Sequence, residues 1–428
     1  MCSIEQCNGA GDCRKSNLFG GTLCPAYKVS GDELLSTRSR ANILREILTH
    51  GWDSPAFGKS ANGFSSAGGG NNRSIFSSPE IAAMLDSCLA CKGCRSECPS
   101  NVDMTRIRAE ILQHRHDVSG TPFRSYMVAR MAEIERLGRS VRPLYNVFAK
   151  WDLSSEIIKK IIGFSAEREI PALSRCSMRA LVRHENHKKC SAQHGSHVAS
   201  KGKVYLFADE FTDCQEAELG LTFYRLLVRL GYEVEIPKHV ESGRAAISKG
   251  CLKLARKFAV KNVTLLQNVI SENTPLVGIE PSCILSFRDE YPDLVDPQMR
   301  EKAKNLALNC LLYDEFLMRE VEKGNITASE FKDDIAEVWL HGHCHQKSLV
   351  GIEKTADILR LPKGLKINVI PSGCCGMAGS FGYEKEHYGT SLEIGEMVLF
   401  PAVRKAVNAD DGTTPVFVAA PGTNTGVV

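Results

Sequence analysis

The chain is 428 residues long, 43% apolar and 24% charged, with 53 Lys+Arg against 50 Asp+Glu and a formal charge of +3. Such a composition excludes wholesale disorder and a fibrous protein, and the near-balance of charge offers no cationic stripe, so no nucleic-acid partner is expected. The length predicts two or three domains.

No apolar run reaches the roughly 18 residues of a membrane span, so no transmembrane segment is expected. The opening Met1-Cys2-Ser3-Ile4-Glu5-Gln6 has neither the basic nor the apolar stretch of a signal peptide. The expected location is the reducing cytoplasm, with peripheral attachment to the inner face of the membrane as a variant of it. Seventeen cysteines stand out. In a reducing compartment, clustered cysteines hold metal or do redox work rather than form disulfides.

The predicted fold class is an α+β multidomain chain, with an N-terminal α-helical ferredoxin-type domain followed by a duplicated α/β domain. Residues 1–140 carry Cys2, Cys7, Cys13 and Cys24, a predicted helix at 37–50, a Gly/Ser/Asn-rich stretch at 58–78, a predicted helix at 79–87, and the block Cys88, Cys91, Cys94 and Cys98. The stretch at 58–78 reads as an exposed loop. Its Gly68-Gly69-Gly70 run lacks the spacing and preceding strand of a dinucleotide fingerprint. Residues 141–200 read as a helical connector, basic towards the end (Arg175, Arg179, Arg183, His184, His187, Lys188, Lys189) and expected to present a solvated face. From Lys201 onwards, apolar runs of strand length alternate with helical stretches, which predicts α/β architecture. Strands are predicted at 204–208, 232–236, 276–279, 338–340, 367–370 and 416–419. Helices are predicted at 216–230, 244–269, 348–359 and 387–407. Thr274-Pro275-Leu276-Val277 aligns with Thr414-Pro415-Val416-Phe417, and Glu241-Ser242-Gly243 with Cys374-Cys375-Gly376. The alignment predicts a repeated unit, 201–330 and 331–428.

Cys88-Leu89-Ala90-Cys91-Lys92-Gly93-Cys94-Arg95-Ser96-Glu97-Cys98-Pro99 has the form C-x2-C-x2-C-x3-C-P. Three thiolates at this spacing wrap one iron–sulfur cubane, and the fourth, beyond a longer spacer and a proline, serves the other cluster of a two-cluster domain. A zinc knot would need two C-x2-C pairs and no terminal Cys-Pro. Cys7-x5-Cys13-x10-Cys24-Pro25 supplies the second set. By the crossing rule, Cys24 completes a [4Fe-4S] cluster with Cys88, Cys91 and Cys94, while Cys98 joins Cys7 and Cys13. Ala10 stands in the place of a middle cysteine, so the second cluster is read as [3Fe-4S], or as [4Fe-4S] with Cys2 or a solvent ligand on its last iron. The C-x5-C pair resembles the three-iron site in the iron–sulfur subunit of succinate dehydrogenase.

Cys344 followed by Cys374-Cys375-Gly376 resembles the cysteine-rich CCG domain of heterodisulfide reductase, glycolate oxidase and anaerobic glycerol-3-phosphate dehydrogenase iron–sulfur subunits. That resemblance implies a cluster site at strand ends. The pattern here departs from it. Glu241-Ser242-Gly243 replaces Cys-Cys-Gly in the first half, Glu210 falls near the first cysteine position, and Cys283 alone keeps a family position there. In the second half Thr425 stands where a ligand is usual, and the copy reads as C-terminally truncated. Cys344, Cys374, Cys375 and Cys283 therefore form a candidate third site, read as a cluster, a redox or substrate-facing thiol centre, or a remnant. His341, His343 and His345 flank it as potential zinc ligands, although imidazoles at a strand end are more often satisfied loop residues. Cys176, Cys190, Cys214, Cys251 and Cys310 lack ligand spacing and are expected to pack as small hydrophobes.

Several segments go further: Gly21-Thr22-Leu23-Cys24-Pro25-Ala26-Tyr27, Ser36-Thr37-Arg38-Ser39-Arg40-Ala41-Asn42, Gly278-Ile279-Glu280-Pro281-Ser282-Cys283, His343-Cys344-His345-Gln346 and Ser372-Gly373-Cys374-Cys375-Gly376-Met377-Ala378-Gly379. Together they are similar to the C-terminal iron–sulfur half of the fused FAD-linked oxidases of the D-2-hydroxyglutarate and D-lactate dehydrogenase type. In those enzymes a flavin domain oxidises a D-2-hydroxy acid, and electrons pass through the iron–sulfur half to a quinone or another acceptor. No FAD-binding motif is evident in this sequence. The resemblance thus implies FAD on a partner flavoprotein dehydrogenase subunit, and an electron-transfer role for this chain with no substrate-oxidising residue of its own. The alternatives are a free-standing thiol/disulfide reductase like heterodisulfide reductase, and a non-catalytic iron–sulfur sensor.

Overall fold

The N-terminal cysteines ride on short helices whose ends are chemically marked. The computed structural model describes residues 2–50, 76, 78–143, 145–146, 152–192, 200–408 and 412–422. Pro25 opens the helix Pro25–Ser30 directly after Cys24, a position where the missing N–H costs nothing. Ser78 caps Pro79–Asp86 by accepting from the Ile81 amide at 3.2 Å. Asp103 caps Met104–Ser119 through the amides of Thr105 and Arg106. The expected helix at 37–50 is present as Thr37–His50. Of the glycine-rich stretch at 58–78, all but Phe76 and Ser78 lies outside the described residues.

The following segment is helical as expected, in pieces: Phe123–Ala129, Met131–Ser140, Asp152–Ile162 and Met178–Ala192. It is more than a solvated linker. Met178 and Val182 are buried in one core with Leu221 and Tyr224, and the Arg179 amide donates to Asp213 Oδ1 at 3.1 Å. Arg175, Arg183, His184 and His187 are exposed, as the reading of a solvated face required.

Two parallel sheets follow. β1 (Gly202–Phe207), β2 (Tyr232–Glu235), β3 (Leu276–Gly278) and β4 (Cys310–Leu312) form the first, in the order β2-β1-β3-β4. β5 (Ala336–Leu340), β6 (Leu365–Val369) and β7 (Val416–Ala419) form the second, in the order β6-β5-β7. Val204 pairs with Val234 and Phe207 with Gly278; Val338 pairs with Ile367 and Trp339 with Val418. The first three strands of each half thus share one order. β4 is absent from the predicted strands: Cys310-Leu311-Leu312 stands close between the helices Arg300–Ala307 and Tyr313–Glu322 with no glycine or proline to set it off.

Three predicted helices are each two. Arg244–Ser248 and Leu252–Leu266 are separated at Gly250, which has φ +68° and packs so close to Leu112 that an added Cβ would stand 2.2 Å from that side chain. Cys344–Leu349 and Glu353–Arg360 part at Gly351, and Tyr388–Met397 and Leu399–Asn408 part at Val398, just before Pro401. A left-handed residue, or a proline whose ring blocks the preceding turn, ends a helix whatever the apolar period says.

In parallel sheets the loops at the carboxyl ends of the strands gather along one edge. The motif residues lie there. Glu210 follows β1, Glu241-Ser242-Gly243 follows β2, Cys283 follows β3, Cys344 follows β5 and Cys374-Cys375-Gly376 follows β6.

Candidate metal centres

The loop carrying Cys88, Cys91 and Cys94 turns through two left-handed non-glycine residues, Ala90 at φ 52° and Lys92 at φ 62°. Each such residue costs on the order of 1–3 kcal/mol. The turn points backbone amides inward, Gly93 N–H to the Cys91 sulfur and Met104 N–H to the Cys94 sulfur, the arrangement that receives anionic sulfur. Cys24, Cys88, Cys91 and Cys94 line one small cavity. Cys24 is held there by Glu97, whose carboxylate accepts from the Thr22 amide at 2.6 Å and the Leu23 amide at 3.0 Å. The spacer of the second motif therefore clamps the chain that delivers the last cysteine of the first.

The donor set fits a cluster better than a single ion. Zinc with sulfurs at ≈ 2.3 Å would draw them to within about 4 Å of one another. Among the described residues, the group of three ligands gathered within 4.8 Å is Asp86, Glu386 and His387, and no three of these cysteines are that close. Arg40 adds a charge argument. It is fully buried, donates to Met84 O at 3.0 Å, Ser87 Oγ at 2.7 Å and Cys24 Sγ at 3.6 Å, and pairs with no described carboxylate. Burial works against this guanidinium, and the negative charge of Cys88, Cys24 and Cys94 outweighs it. A buried cation whose only anionic neighbours are sulfurs matches thiolates bound to iron.

Cys7, Cys13 and Cys98 occupy the adjacent neighbourhood. Burial pushes the Cys13 thiol up, the Arg38 amide (3.3 Å from Sγ) pulls it down, and the charges of Cys24, Cys7 and Cys98 push it up again. All seven of these cysteines belong to or pack against one buried cluster with Leu44, Leu85 and Met104. The Cys2 side chain is outside the described residues.

Cys344 and Cys374 pack against that same buried cluster. Cys344, at the start of its helix, meets Cys374, and Cys374 meets Cys375. The Cys375 thiol is held well below its ordinary range, chiefly by the hydrogen bond from Cys374, with His341 and the Met377 amide also contributing. Gly376 shows why the motif ends in glycine: its φ is +90°, and an added Cβ would stand 2.1 Å from Ser391 O. Gly376→Ala is expected to lower stability by about 3 kcal/mol or more, from left-handed strain plus overpacking; an unchanged urea midpoint would contradict it.

Cys283 sits on the short helix Pro281–Ile284 that follows β3. Its buried thiol is raised by burial and then by Glu210, Asp209 and Glu280, and it bonds Ser242. Glu210 in turn accepts from Ser242 N at 2.9 Å and Ser242 Oγ at 2.6 Å. These residues thus form a polar knot at the carboxyl ends of the first sheet's strands, as the Cys344–Cys374–Cys375 group sits at those of the second. The three histidines do not converge. His341 Nδ1 meets Ser372 Oγ at 2.6 Å, His343 Nδ1 accepts from the His345 amide at 3.2 Å, and His345 Nε2 meets Ala90 O at 3.0 Å. Thr425 lies outside the described residues. Cys214 and Cys310 are buried and Cys251 is half-buried, but Cys176 is exposed, because it sits on a bend before the helix Met178–Ala192 rather than inside it. The Cys190 side chain is not among the described ones.

Residues 3–102 match the 4Fe-4S dicluster domain family, so two iron–sulfur clusters are a property of this region. Lactate utilization protein A of Bacillus subtilis is 30% identical over 185 residues, which cover 42% of this chain and 74% of that protein. The chain belongs to that iron–sulfur family. Other members extend the match. One of the subunits of the anaerobic glycerol-3-phosphate dehydrogenase of Escherichia coli is 25% identical over 283 residues, 66% of this chain and 68% of its own length. The D-2-hydroxyglutarate dehydrogenase of Escherichia coli is 27% identical over 420 residues, 94% of this chain, and the match falls on its C-terminal part. The chain spans about 40% of the length of the D-2-hydroxyglutarate dehydrogenases it matches. No solved structure matches significantly. The chain is thus an iron–sulfur protein related to the FAD-linked D-2-hydroxyglutarate dehydrogenases. No helix among the described residues is long and apolar enough to cross a membrane.

Several site residues carried no signal in spacing. Arg38, Arg40 and Glu97 act through amides and buried charge that only the folded chain reveals. Glu135 is another. It is 6% exposed, accepts from Gln215 Nε2 at 2.6 Å, and burial raises its carboxyl to about 7 against the pull of Gln215, Cys214 and Arg139. A carboxyl raised in the folded state keeps its proton while the unfolded chain loses it, so its contribution is full below about pH 4 and is lost as pH rises to about 7. Stability should therefore fall across that window by up to about 1.4 kcal/mol per pH unit from this group. Glu135→Gln is expected to remove that component; chemical denaturation at pH 5 and pH 7 measures it.

Proposed function

We propose that this chain is the iron–sulfur component of a flavin-dependent 2-hydroxy-acid dehydrogenase, taking electrons from a reduced flavin on a partner subunit or joined domain and delivering them to a separate acceptor such as a quinone. The supporting observation is that Cys7, Cys13, Cys24, Cys88, Cys91, Cys94, Cys98, Cys344 and Cys374 meet in one buried cluster of side chains. Two clusters held by crossed motifs in such a core are close-spaced one-electron carriers. In this reading Cys88, Cys91, Cys94 and Cys24 hold a [4Fe-4S] cluster, and Cys98, Cys7 and Cys13 hold the second, [3Fe-4S] or [4Fe-4S]. The halves 201–330 and 331–428 are two copies of one α/β unit, of which the second keeps thiols able to hold a third cluster.

The chain's own residues orient and insulate. Glu97 fixes Cys24, the Gly93, Met104 and Arg38 amides face sulfur, and Arg40 supplies a buried positive charge that favours the more reduced state of its neighbour. His345 and Ser348 tie the second α/β unit to this loop through the carbonyls of Ala90 and Cys91, at 3.0 and 3.3 Å.

The test is spectroscopic. Anaerobically purified chain should bleach near 400 nm on addition of a D-2-hydroxy acid only when the flavoprotein is present. Failure of that pair to bleach, in material that dithionite does bleach, would refute the proposal.

A further inference from the structure

A cavity of about 360 Å³ opens between the first cysteine loop and the second α/β unit, within the size range of small-molecule sites. Leu89, Ala90 and Cys91 form one side of it, and His343, Cys344 and Cys375 another. The remainder is largely aliphatic and aromatic, with Met131, Ile134, Ile158, Ile162 and Phe164 contributed by the segment that the sequence presents as a connector. Polar groups interrupt this lining, among them His341, His343, His345, Ser248 and Ser282. Two lining side chains, Tyr383 and Glu135, carry a buried oxygen with no oxygen or nitrogen partner among the described residues, and His341 carries such a nitrogen at Nε2. The Tyr383 hydroxyl belongs to a side chain 7% exposed and has no hydrogen-bond partner among the described residues. Glu135 gives one oxygen to Gln215, while Oε2 has no oxygen or nitrogen partner among the described residues, with the Cys214 thiol and Arg139 close to the carboxyl. A buried polar group left unpaired costs about 1–3 kcal/mol, and a void with mostly apolar walls is a poor place for water. Among the described residues, the guanidinium at the wall, Arg244, is already paired with Glu290 at 2.7 Å.

Resting on the electron-transfer reading above, we infer that this cavity seats the ring of a quinone-class acceptor, flat and apolar in its body, with its oxygens turned to the Tyr383 hydroxyl and the Glu135 carboxyl. Tyr383 is a donor at neutral pH, since burial keeps its hydroxyl protonated to about 12, and burial raises Glu135 to about 7, so roughly half of its population carries the donating proton there. The chemistry balances. A quinone takes two electrons, supplied one at a time through the Cys91 side of the cavity and originating in a reduced flavin, and two protons from solvent. It leaves as the hydroquinone, and no bond in the protein is made or broken. Glu135 and Tyr383 are positioning donors for the two oxygens.

The experiment titrates 2,3-dimethyl-1,4-naphthoquinone, whose blocked ring positions prevent addition to thiols, into the oxidised cluster-bearing chain by calorimetry. One saturable site is expected. Ile134→Trp, which fills the cavity, should weaken binding about tenfold or more, and Tyr383→Phe about threefold to tenfold, both at unchanged iron content. Absence of saturable binding, or equal affinity in wild type and Tyr383→Phe and Ile134→Trp, overturns the inference. The donor side is read separately. Bleaching of Ile134→Trp by the flavoprotein and hydroxy acid tests the electron-transfer reading and leaves the binding result untouched. A variant that bleaches and is then reoxidised by the quinone as fast as wild type also overturns the cavity's role.

Discussion

Cys91→Ala is expected to lose about four iron atoms per chain and with them the folded N-terminal region. The thiol sits between two left-handed residues, Ala90 and Lys92, in a loop that buries one aliphatic side chain of its own, Leu89. Structural metal binding is worth on the order of 10 kcal/mol in small metal-dependent folds, against a strain of about 1–3 kcal/mol per left-handed residue. Removing one ligand leaves the strain without its compensation. Burial also raises the remaining Cys94 thiol, which disfavours its thiolate. Iron and acid-labile sulfide per chain, with circular dichroism, measure the loss. Cys24→Ala should give the same spectroscopic deficit despite lying 67 residues away in sequence, and Cys98→Ala should instead remove the other signal. The exposed Cys176 is the control: Cys176→Ala should keep its full iron. Full iron in Cys91→Ala would refute the ligand assignment.

What the sequence shows of this site follows from how local its information is. C-x2-C-x2-C-x3-C-P is legible because cluster ligation fixes ligand spacing within one loop. The crossing of Cys24 to the second block is legible only through the rule for two-cluster domains, and its cause, Glu97 reaching the amides of Thr22 and Leu23 across 75 and 74 positions, leaves no mark in spacing. All the strands but β4 read well, β1 and β3 as buried apolar runs and β2 by its alternation of buried and exposed residues. The long helices read too long, because apolar period persists through Gly250 and Gly351 while the backbone does not. The cavity was invisible for a different reason. Ile134, Ile158 and Phe164 look like ordinary amphipathic helix residues, and Tyr383 like a loop aromatic; that their side chains leave a void is set by four segments at once.

Asp289→Ala should destabilise the chain by about 3–5 kcal/mol, the range for stranding a buried charge. Asp289, on the short helix Ser286–Asp289 beyond β3, receives Lys92 and Arg95 from the cysteine loop region and Arg106 Nη2 at 2.9 Å from the helix Met104–Ser119. Lys92 is completely buried, so without Asp289 its charge falls on Glu290 at 2.8 Å alone, which Arg244 already claims at 2.7 Å. Glu290 is poised to feel this. Burial would push its carboxyl up, but Lys92 and then Arg244 hold it far below the usual range. A carboxyl depressed in the folded state contributes stability above about pH 4 that is lost on further acidification, and in Asp289→Ala this remaining pair must carry the docking of the two regions by itself. The variant should therefore show a lower urea midpoint at pH 7 and a sharper loss below pH 5. Lys92→Met placed on Asp289→Ala should restore part of the stability, since it removes the stranded cation, and the double-mutant cycle measures that coupling. Because Lys92 lies between Cys91 and Cys94, the same substitutions should alter the electron paramagnetic resonance of the first cluster and leave that of the second unchanged. A pair of midpoints that simply add, with both spectra intact, would mean that the ion network is surface decoration and that the cysteine loop is held against the first sheet by packing alone.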